Sequence, residues 1–381
     1  MAMPDRRKRI LHIVQDLGIG GLERVIQTIA TGLDPAKYDL QVWCLARGGA
    51  IADELSRRGV AVRILGLTSY YNPARVGDLA RIFGRERPDI VHTHGYFAGT
   101  FARLALLPAR GPAVIHHIHT TDHNFKTRNR RIEFLLSLRS DRVICVSQAV
   151  ARFAVEMLGI APRKIRVVYN AAFADRANPA ERTAGGQDVL SRLSPGDFVI
   201  LSIASLTRNK GHEILITAMK ELASRHENVK SVIVGDGPQR RFLEDRIDSL
   251  DVRGRVLLAG MQPDVLPFLR RADVVALSTL GREGLSVALV EGAAAGRPLV
   301  GSDLGGIPEV IEHGANGFLF RPGDARELAR ALERLITDAE LRERMGQRSR
   351  ALYRDRFSRE MMIGRIERLY DEVLQGRAHA N

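Results

Sequence analysis

Two glutamates, Glu283 and Glu291, stand eight positions apart, the first inside Glu283-Gly284-Leu285-Ser286 and the second just ahead of Ala293-Ala294-Ala295-Gly296-Arg297-Pro298. The pattern predicts a loop at Glu283 and a helix beginning near Ser286 that contains Glu291. Two carboxylates so placed can meet one ligand at different heights and accept hydrogen bonds from paired sugar or ribose hydroxyls. Glutamates at this spacing also decorate solvated helix faces, but Gly292, Ala293, Ala294 and Ala295 around the second one favour burial and a binding role. A second candidate is Ser205-Leu206-Thr207-Arg208-Asn209-Lys210-Gly211-His212, between an apolar run and a helical one. Arg208 and Lys210, at the mouth of a parallel sheet and beside a helix N-terminus, could neutralise a diphosphate leaving group. By themselves they read equally well as solvated loop charges.

Glycine-rich turns and histidines are the remaining signals. Gly18-Ile19-Gly20-Gly21-Leu22-Glu23 follows the first apolar run and opens a helix, where glycine admits a ligand close to the backbone and unpaired amides attract phosphate. Its spacing is not the full dinucleotide fingerprint, so a purely structural turn is an equal reading. In Gly235-Asp236-Gly237-Pro238 the Asp236 carboxylate would repel phosphate, which favours a tight connection with Pro238 in the first turn of the next helix. His92, His94, His116, His117, His119 and His123 are dense enough to raise zinc. A zinc centre needs convergent ligands, and the chain has neither a Cys pair nor a helical His-Glu-x-x-His motif. Nor does it contain an Asp-x-Asp, a carboxylate pair that can hold a divalent ion. The expectation is therefore no metal and no cofactor.

The elements that must position these residues alternate along the chain: short apolar or β-branched runs separated by longer amphipathic ones, the pattern of α/β parallel sheets flanked by helices. Strands are predicted at Ile10–Val14, Leu40–Leu45, Val60–Leu65, Ile90–His92, Val114–Ile118 and Val143–Val146, with helices such as Glu23–Thr31, Arg75–Phe83 and Ile132–Leu138 between them. From Ala171 to Gly196 the rhythm breaks into Ala, Asp, Asn, Pro, Thr and Gly, which reads as a linker. Strands resume at Phe198–Ile203, Val229–Val234, Val256–Leu258, Val274–Leu277 and Leu299–Gly301, and Ala325–Gln375 reads as three helices divided near Asp338 and near Phe357-Ser358. The expected organisation is an N-terminal domain over 1–170, a linker over 171–196, a second domain over 197–357 and a final helix over 358–381 that packs back on the first domain.

A length of 381 residues calls for two or three domains, and 45% hydrophobic with 27% charged residues describes an ordinary globular chain. Cys44 and Cys145 sit in apolar runs, which suggests free thiols in a reducing compartment. The first apolar stretch is cut short by Gln15 and Asp16, and no run approaches the roughly 20 apolar residues of a membrane span. A cytoplasmic location follows as the expectation. Residues 1–170 hold 26 Lys/Arg against 14 Asp/Glu, whereas the remainder holds 31 against 30, so nearly all of the +13 net charge lies in the first half. Such asymmetry suggests a polyanion or an anionic membrane as partner. With 6% aromatic residues and no recognition module among the arginines, nucleic acid is not the expected one.

Taken in order, these motifs resemble the retaining glycosyltransferases of family 4, which have the GT-B fold, over nearly the whole chain. Gly20-Gly21 resembles the family's N-terminal glycine loop, Arg208-Asn209-Lys210-Gly211 its basic loop, and Glu283 with Glu291 its paired glutamates. Gly305-Gly306-Ile307-Pro308-Glu309 and Asn316-Gly317-Phe318-Leu319-Phe320 resemble its later glycine turns. The resemblance implies two Rossmann-like, doubly wound domains facing across a cleft, with C-terminal helices. It further implies a nucleotide diphosphate sugar as donor, bound by Gly20, Gly21, Arg208, Lys210, Glu283, Gly284, Leu285, Ser286 and Glu291. Lys210 would contact the diphosphate, the amides around Leu285 and Ser286 the phosphates, Glu291 the ribose, and Glu283 the donor sugar. His119, at the end of the fifth strand, matches the histidine such families place near that sugar. His119, Arg208, Lys210 and Glu283 are thus the expected catalytic group.

Two positions depart from the pattern: Ser205 stands where the family usually has an arginine, which leaves Arg208 to supply that charge, and Tyr169-Asn170-Ala171 replaces the usual Pro-Asn-Gly. Relatives of this kind often work on lipid-linked sugars for envelope or exported polysaccharides such as lipopolysaccharide, which implies a glycan or lipid-linked acceptor. With Arg6 to Arg9 and Lys126, Arg128, Arg130 and Arg131, it also implies peripheral attachment to the inner face of the cell membrane. A nucleotide-sugar 2-epimerase of the same architecture and a basic nucleic-acid-binding protein remain the alternatives.

Overall fold

The structure, a computed structural model, describes residues 6–18, 20–67, 73–107, 111–121, 126–172, 187–262, 264–281 and 283–378. The chain divides into two compact units, residues 1–171 with 359–381, and residues 172–358.

The first unit runs β1 (Lys8–Asp16), α1 (Gly21–Gly32), β2 (Tyr38–Arg47), α2 (Ala50–Arg57), β3 (Ala61–Ile64), α3 (Pro73–Glu86), β4 (Ile90–His94), α4 (Tyr96–Ala105), β5 (Ala113–Ile118), α5 (Thr127–Arg139), β6 (Arg142–Cys145), α6 (Gln148–Glu156) and β7 (Ile165–Val167). Its strands form one sheet in the order β3-β2-β1-β4-β5-β6-β7, all parallel. Helices on both faces explain why β4 and β5 are buried along their whole length. Beneath α3 and α4, Trp43 stacks on Phe83 at 6.0 Å in a cluster with Ile13, Leu45, Leu79 and Phe101.

Further along the chain, α14 (Arg359–Ala378) returns to this unit and buries Ile366, Leu369, Tyr370 and Val373. Arg142 of β6 and Arg166 of β7 both meet its Glu372, at 2.7 and 2.6 Å, and Arg377 forks onto Asp141 at 3.0 and 2.9 Å. Burial pushes the Glu372 carboxyl up, but the hydrogen bonds from Arg166 and Arg142 outweigh it and hold the group below its ordinary value.

The second unit comprises α7 (Gln187–Ser191), β8 (Phe198–Ile203), α8 (His212–Ala223), β9 (Val229–Val234), α9 (Arg240–Ser249), β10 (Val256–Gly260), α10 (Leu266–Arg271), β11 (Val274–Leu277), α11 (Val287–Ala294), β12 (Leu299–Ser302), β13 (Gly317–Phe320), α12 (Ala325–Thr337) and α13 (Ala339–Leu352). Its sheet, again parallel, has the order β10-β9-β8-β11-β12-β13. Leu328, Leu332 and Leu335 of α12 fall on one helical face and pack with Leu215, Met219 and Leu222 of α8 in the unit's core. Asp324 and Asp338 cap α12 and α13, each accepting a backbone N–H three residues on.

Four readings of the sequence are corrected. Gly317–Phe320 is a strand, not a glycine turn: a Cβ at Gly317 would collide with the Leu299 backbone, so this glycine permits close strand approach. The helix expected from Ile132 begins at Thr127, placing Arg128, Arg130 and Arg131 on α5 rather than in the loop before it. Its polar first turns carry no apolar period to reveal them. Pro238 lies in a turn two residues ahead of α9, not inside that helix. Finally, Gln187–Ser191 within the expected linker is helical, while residues 173–186 lie outside the described ones.

Candidate active site

In a doubly wound sheet, ligands bind beyond the carboxyl ends of strands where the winding reverses. The second unit reverses between β8 and its neighbour β11, and the loops after these two strands carry Arg208, Lys210 and Glu283. After β8, a 3₁₀ turn over Arg208–Lys210 ends at Gly211 and leads into α8. After β11, the Asn209 carbonyl accepts the N–H groups of Leu280 and Gly281 at 2.7 and 2.8 Å and the Thr279 hydroxyl at 2.8 Å. Ser278 donates to the Gly211 carbonyl, also at 2.8 Å. The two loops are thereby tied together, which fixes the side chains they carry.

On this support, the Lys210 ammonium donates to Glu283 Oε2 at 2.6 Å, with both side chains about one-fifth exposed. Glu283 is itself held by the turn after β12. Gly305 has φ +59° and lies where a Cβ would strike the Glu283 carbonyl, and the Gly306 N–H donates to that carbonyl at 2.9 Å. Leu285 and Ser286 are buried, and Ser286 caps α11 by accepting from the Leu289 N–H at 3.3 Å. Glu291 lies on α11, partly buried. Arg208 and Ser205 are exposed, and His212 is buried with its Nε2 on the Ser205 carbonyl at 3.1 Å. Burial drives the His212 pKa down, the hydrogen bond to Ser205 opposes this, and the Lys210 charge lowers it further.

The first unit reverses between β1 and β4. Gly20 and Gly21 sit there, at the entry to α1. Across the same sheet His12 of β1, His92 and His94 of β4, and His116 and His117 of β5 are buried, with His119 just past β5. His12 Nδ1 lies 2.8 Å from His94 Nε2, and His94 Nδ1 lies 3.1 Å from His119 Nε2. The Tyr370 hydroxyl reaches His12 Nε2 at 3.0 Å and His92 Nδ1 at 2.8 Å. Burial holds His12 and His119 at a pKa of about 3 and His92, His94, His116 and His117 well below the ordinary histidine value, so all six are neutral at pH 7. Beside them His116 bonds Thr93 at 2.9 Å, and the buried pair Arg103–Glu133, at 2.5 Å, joins α4 to α5.

Two triads, His12-His92-His94 and His94-His117-His119, hold ring nitrogens within 4.8 Å of one another. A metal-ligating histidine ordinarily anchors its second ring nitrogen. Among the described residues His117 has no partner on either nitrogen, and His119 Nδ1 and His92 Nε2 have none. In the second triad His117 does not meet this rule, whereas in the first the second nitrogens of His12 and His92 are held by Tyr370 and that of His94 by His119; the paired rings lie at hydrogen-bond spacings of 2.8 to 3.1 Å. His123, also weighed as a ligand, lies outside the described residues.

The structure thus joins Lys210 to Glu283 and sets Gly284, Leu285, Ser286 and Glu291 along the same loop and helix. Arg208 shares the turn of Lys210, while Gly20, Gly21 and His119 belong to the other unit. Sequence reasoning missed His12 and Tyr370. The available signals were a histidine interrupting the apolar run Ile10-Leu11-His12-Ile13-Val14 and a tyrosine on the buried face of the last helix.

Two parallel doubly wound units, each with polar loops at its winding reversal, define an enzyme architecture built for nucleotide-type ligands. The description "Glycosyltransferase Family 4" matches residues 19–176, and "Glycosyl transferases group 1" matches residues 190–352. A glycosyltransferase of Methanocaldococcus jannaschii is 30% identical over 279 residues, 69% of this chain and 70% of that one. The UDP-Gal:alpha-D-GlcNAc-diphosphoundecaprenol alpha-1,3-galactosyltransferase of Escherichia coli is 24% identical over 379 residues, 96% of this chain and 97% of its own. Among solved structures, Anabaena HepE in complex with UDP-glucose superimposes with a TM-score of 0.82 at 24% identity, covering 96% of this chain and 99% of that one. The chain belongs to the group 1, family 4 glycosyltransferases and has their GT-B fold.

Proposed function

We propose that this glycosyltransferase is retaining and metal-independent, and that it moves a sugar from a nucleotide diphosphate sugar to a glycan or lipid-linked acceptor at an anionic membrane surface. The observation that carries the reading is the Lys210–Glu283 pair at the winding reversal. Its carboxylate holds an ammonium ready for a negatively charged leaving group, and preorganised charge of this kind costs no rearrangement during the reaction. The bond from the anomeric carbon to the diphosphate breaks with its electron pair going to the phosphate oxygen. Lys210, Arg208 and the amides around Leu285 and Ser286 stabilise the developing charge. The acceptor hydroxyl forms the new bond on the same face and passes its proton to the departing phosphate oxygen. Glycoside and nucleoside diphosphate are the products, and no carboxylate nucleophile is required. Glu283 and His119 contact the donor sugar, Glu291 the ribose, and Gly20 and Gly21 admit the donor by close backbone approach.

Support for a membrane partner comes from the outer surface of α4 and α5. Of the ten large hydrophobic residues exposed among the described ones, six lie there: Phe97, Leu104, Leu107, Phe134, Leu135 and Leu138. Lys126, Arg128, Arg131 and Arg139 are also exposed on or beside α5, so exposed apolar and basic residues occur together on this helix, and the basic ones would be drawn to an anionic surface. No described helix is long and apolar enough to cross a membrane.

The test is product analysis by proton NMR with the donor and acceptor that support turnover. The glycoside should keep the donor's anomeric configuration, activity should survive chelation by EDTA, and Lys210→Ala should lose roughly 10²- to 10³-fold in kcat. Inverted product refutes the retaining reading, and loss of activity on chelation refutes metal independence.

A further inference from the structure

Four histidines and a tyrosine of the first unit form one unbroken hydrogen-bonded chain, His92–Tyr370–His12–His94–His119, with spacings of 2.8, 3.0, 2.8 and 3.1 Å. Each neutral imidazole carries a single N–H, so within the chain one ring nitrogen donates and the other accepts. With the Tyr370 O–H also donating within the chain, which a buried hydroxyl requires, only two directions are then self-consistent. In one, protons point from His119 toward His92, which leaves His92 with an N–H at Nε2 and His119 with a lone pair at Nδ1. In the other, protons point toward His119, which leaves a lone pair at His92 Nε2 and an N–H at His119 Nδ1. Both end atoms are shielded from solvent and lack partners among the described residues. His92 is fully buried between β1 and β5, whereas His119 is partly exposed just beyond a strand end. An orphan N–H deep in a core is the rarer and costlier defect than an unused lone pair. The direction that ends on an N–H at His119 is therefore favoured.

We propose that Tyr370, from the last helix, is a positioning residue that acts through His12 and His94 to fix the tautomer of His119, so that His119 presents an Nδ1–H donor to an oxygen of the bound sugar. The inference rests on the contact between His119 and the donor proposed above. The Tyr370 hydroxyl is the one link that accepts from His92 while donating to His12. Burial among apolar groups and the nearby Tyr38 keep it protonated. Without that hydroxyl, His12 Nε2 loses its donor, and nothing beyond His12 selects one direction over the other.

Nitrogen-15 labelling of histidine with long-range proton–nitrogen NMR reads the tautomer of each ring directly. In the wild-type protein His119 should carry its proton on Nδ1, a result that needs no variant; a proton on Nε2 overturns the inference. Tyr370→Phe keeps the ring and removes only the link. It should turn His119 into a mixture of tautomers and lower kcat on the order of 10-fold, the worth of one hydrogen bond, with a smaller change in donor KM. Tyr38→Phe, which removes a hydroxyl from the ring lying edge-on to Tyr370 at 5.8 Å, should change neither. An unchanged His119 tautomer in Tyr370→Phe, or an equal change in Tyr38→Phe, overturns the positioning role. A changed tautomer with unchanged kcat refutes instead the His119–sugar contact on which the inference rests.

Discussion

At the scale of single residues, the two glutamates have separable tasks. Glu283 is paired with Lys210 through its side chain and clamped through its backbone by the Gly305-Gly306 turn, so a substitution there removes the partner of Lys210 and leaves the backbone clamp in place. Glu291 sits on α11, partly buried, and is the residue proposed to bind the ribose. Glu291→Ala should therefore weaken nucleotide affinity by about 1.5 to 3 kcal/mol, as loss of a charged hydrogen-bond acceptor does. Glu244→Ala, which removes a pair with Arg240 at 3.0 Å on α9, should leave it unchanged. Calorimetry giving equal affinities for the two variants contradicts the ribose role. The glutamate pair stood out in the sequence because small residues flank Glu291, whereas Arg208 and Lys210 read equally well as solvated loop charges and took their role from the family resemblance. Their contact was not legible: Lys210 and Glu283 are 73 positions apart, and only the neighbouring of β8 and β11 brings them together. Tyr370 and His12, 358 positions apart, were hidden for the same reason.

Among the elements, β1, β4 and β5 carry five buried neutral histidines, with His119 just past β5, and this makes the first unit acid-sensitive. A histidine whose folded pKa is depressed contributes nothing above its unfolded value of 6.5 and destabilises progressively as pH falls from there toward the folded value. For His12 and His119, with folded values of about 3, the loss at pH 5 is about 2 kcal/mol each. Glu372, held low by Arg166 and Arg142, acts in a lower window: its contribution is complete above the unfolded carboxylate value and disappears as pH falls through the folded one. Scanning calorimetry between pH 7.5 and pH 5 thus isolates the histidines, and the melting temperature should fall on the order of 10 °C. No fall over that interval contradicts their neutral burial. Element recognition from sequence worked where apolar runs were long and failed where they were short or polar. The missed β7 has three residues, β13 opens with glycine, and the first turns of α5 are basic.

For the whole molecule, the charge asymmetry visible in the sequence and the apolar surface visible only in the structure point to the same partner. Periodicity marks which helix positions are apolar, but Phe134, Leu135 and Leu138 could be recognised as exposed only once α5 was packed. The intact chain should co-sediment with anionic liposomes at low salt, since each basic residue near such a surface contributes about 1 kcal/mol. Leu135→Ser with Leu138→Ser should weaken binding at every salt concentration, whereas Lys126, Arg128, Arg130 and Arg131 changed together to Ser should remove the salt-sensitive part. Binding that is absent at low salt, or indifferent to both sets, makes a soluble acceptor the better reading. The central claim, that Lys210 holds a diphosphate leaving group, is tested most directly by calorimetry of wild-type and Lys210→Ala protein. The ligands are the nucleoside diphosphate preferred in a thermal-shift screen of UDP, GDP and ADP, and the corresponding monophosphate. The wild type should favour the diphosphate by about 1.5 to 3 kcal/mol, a charged hydrogen bond's worth, and Lys210→Ala should lose most of that preference; a variant that keeps the full preference contradicts the claim.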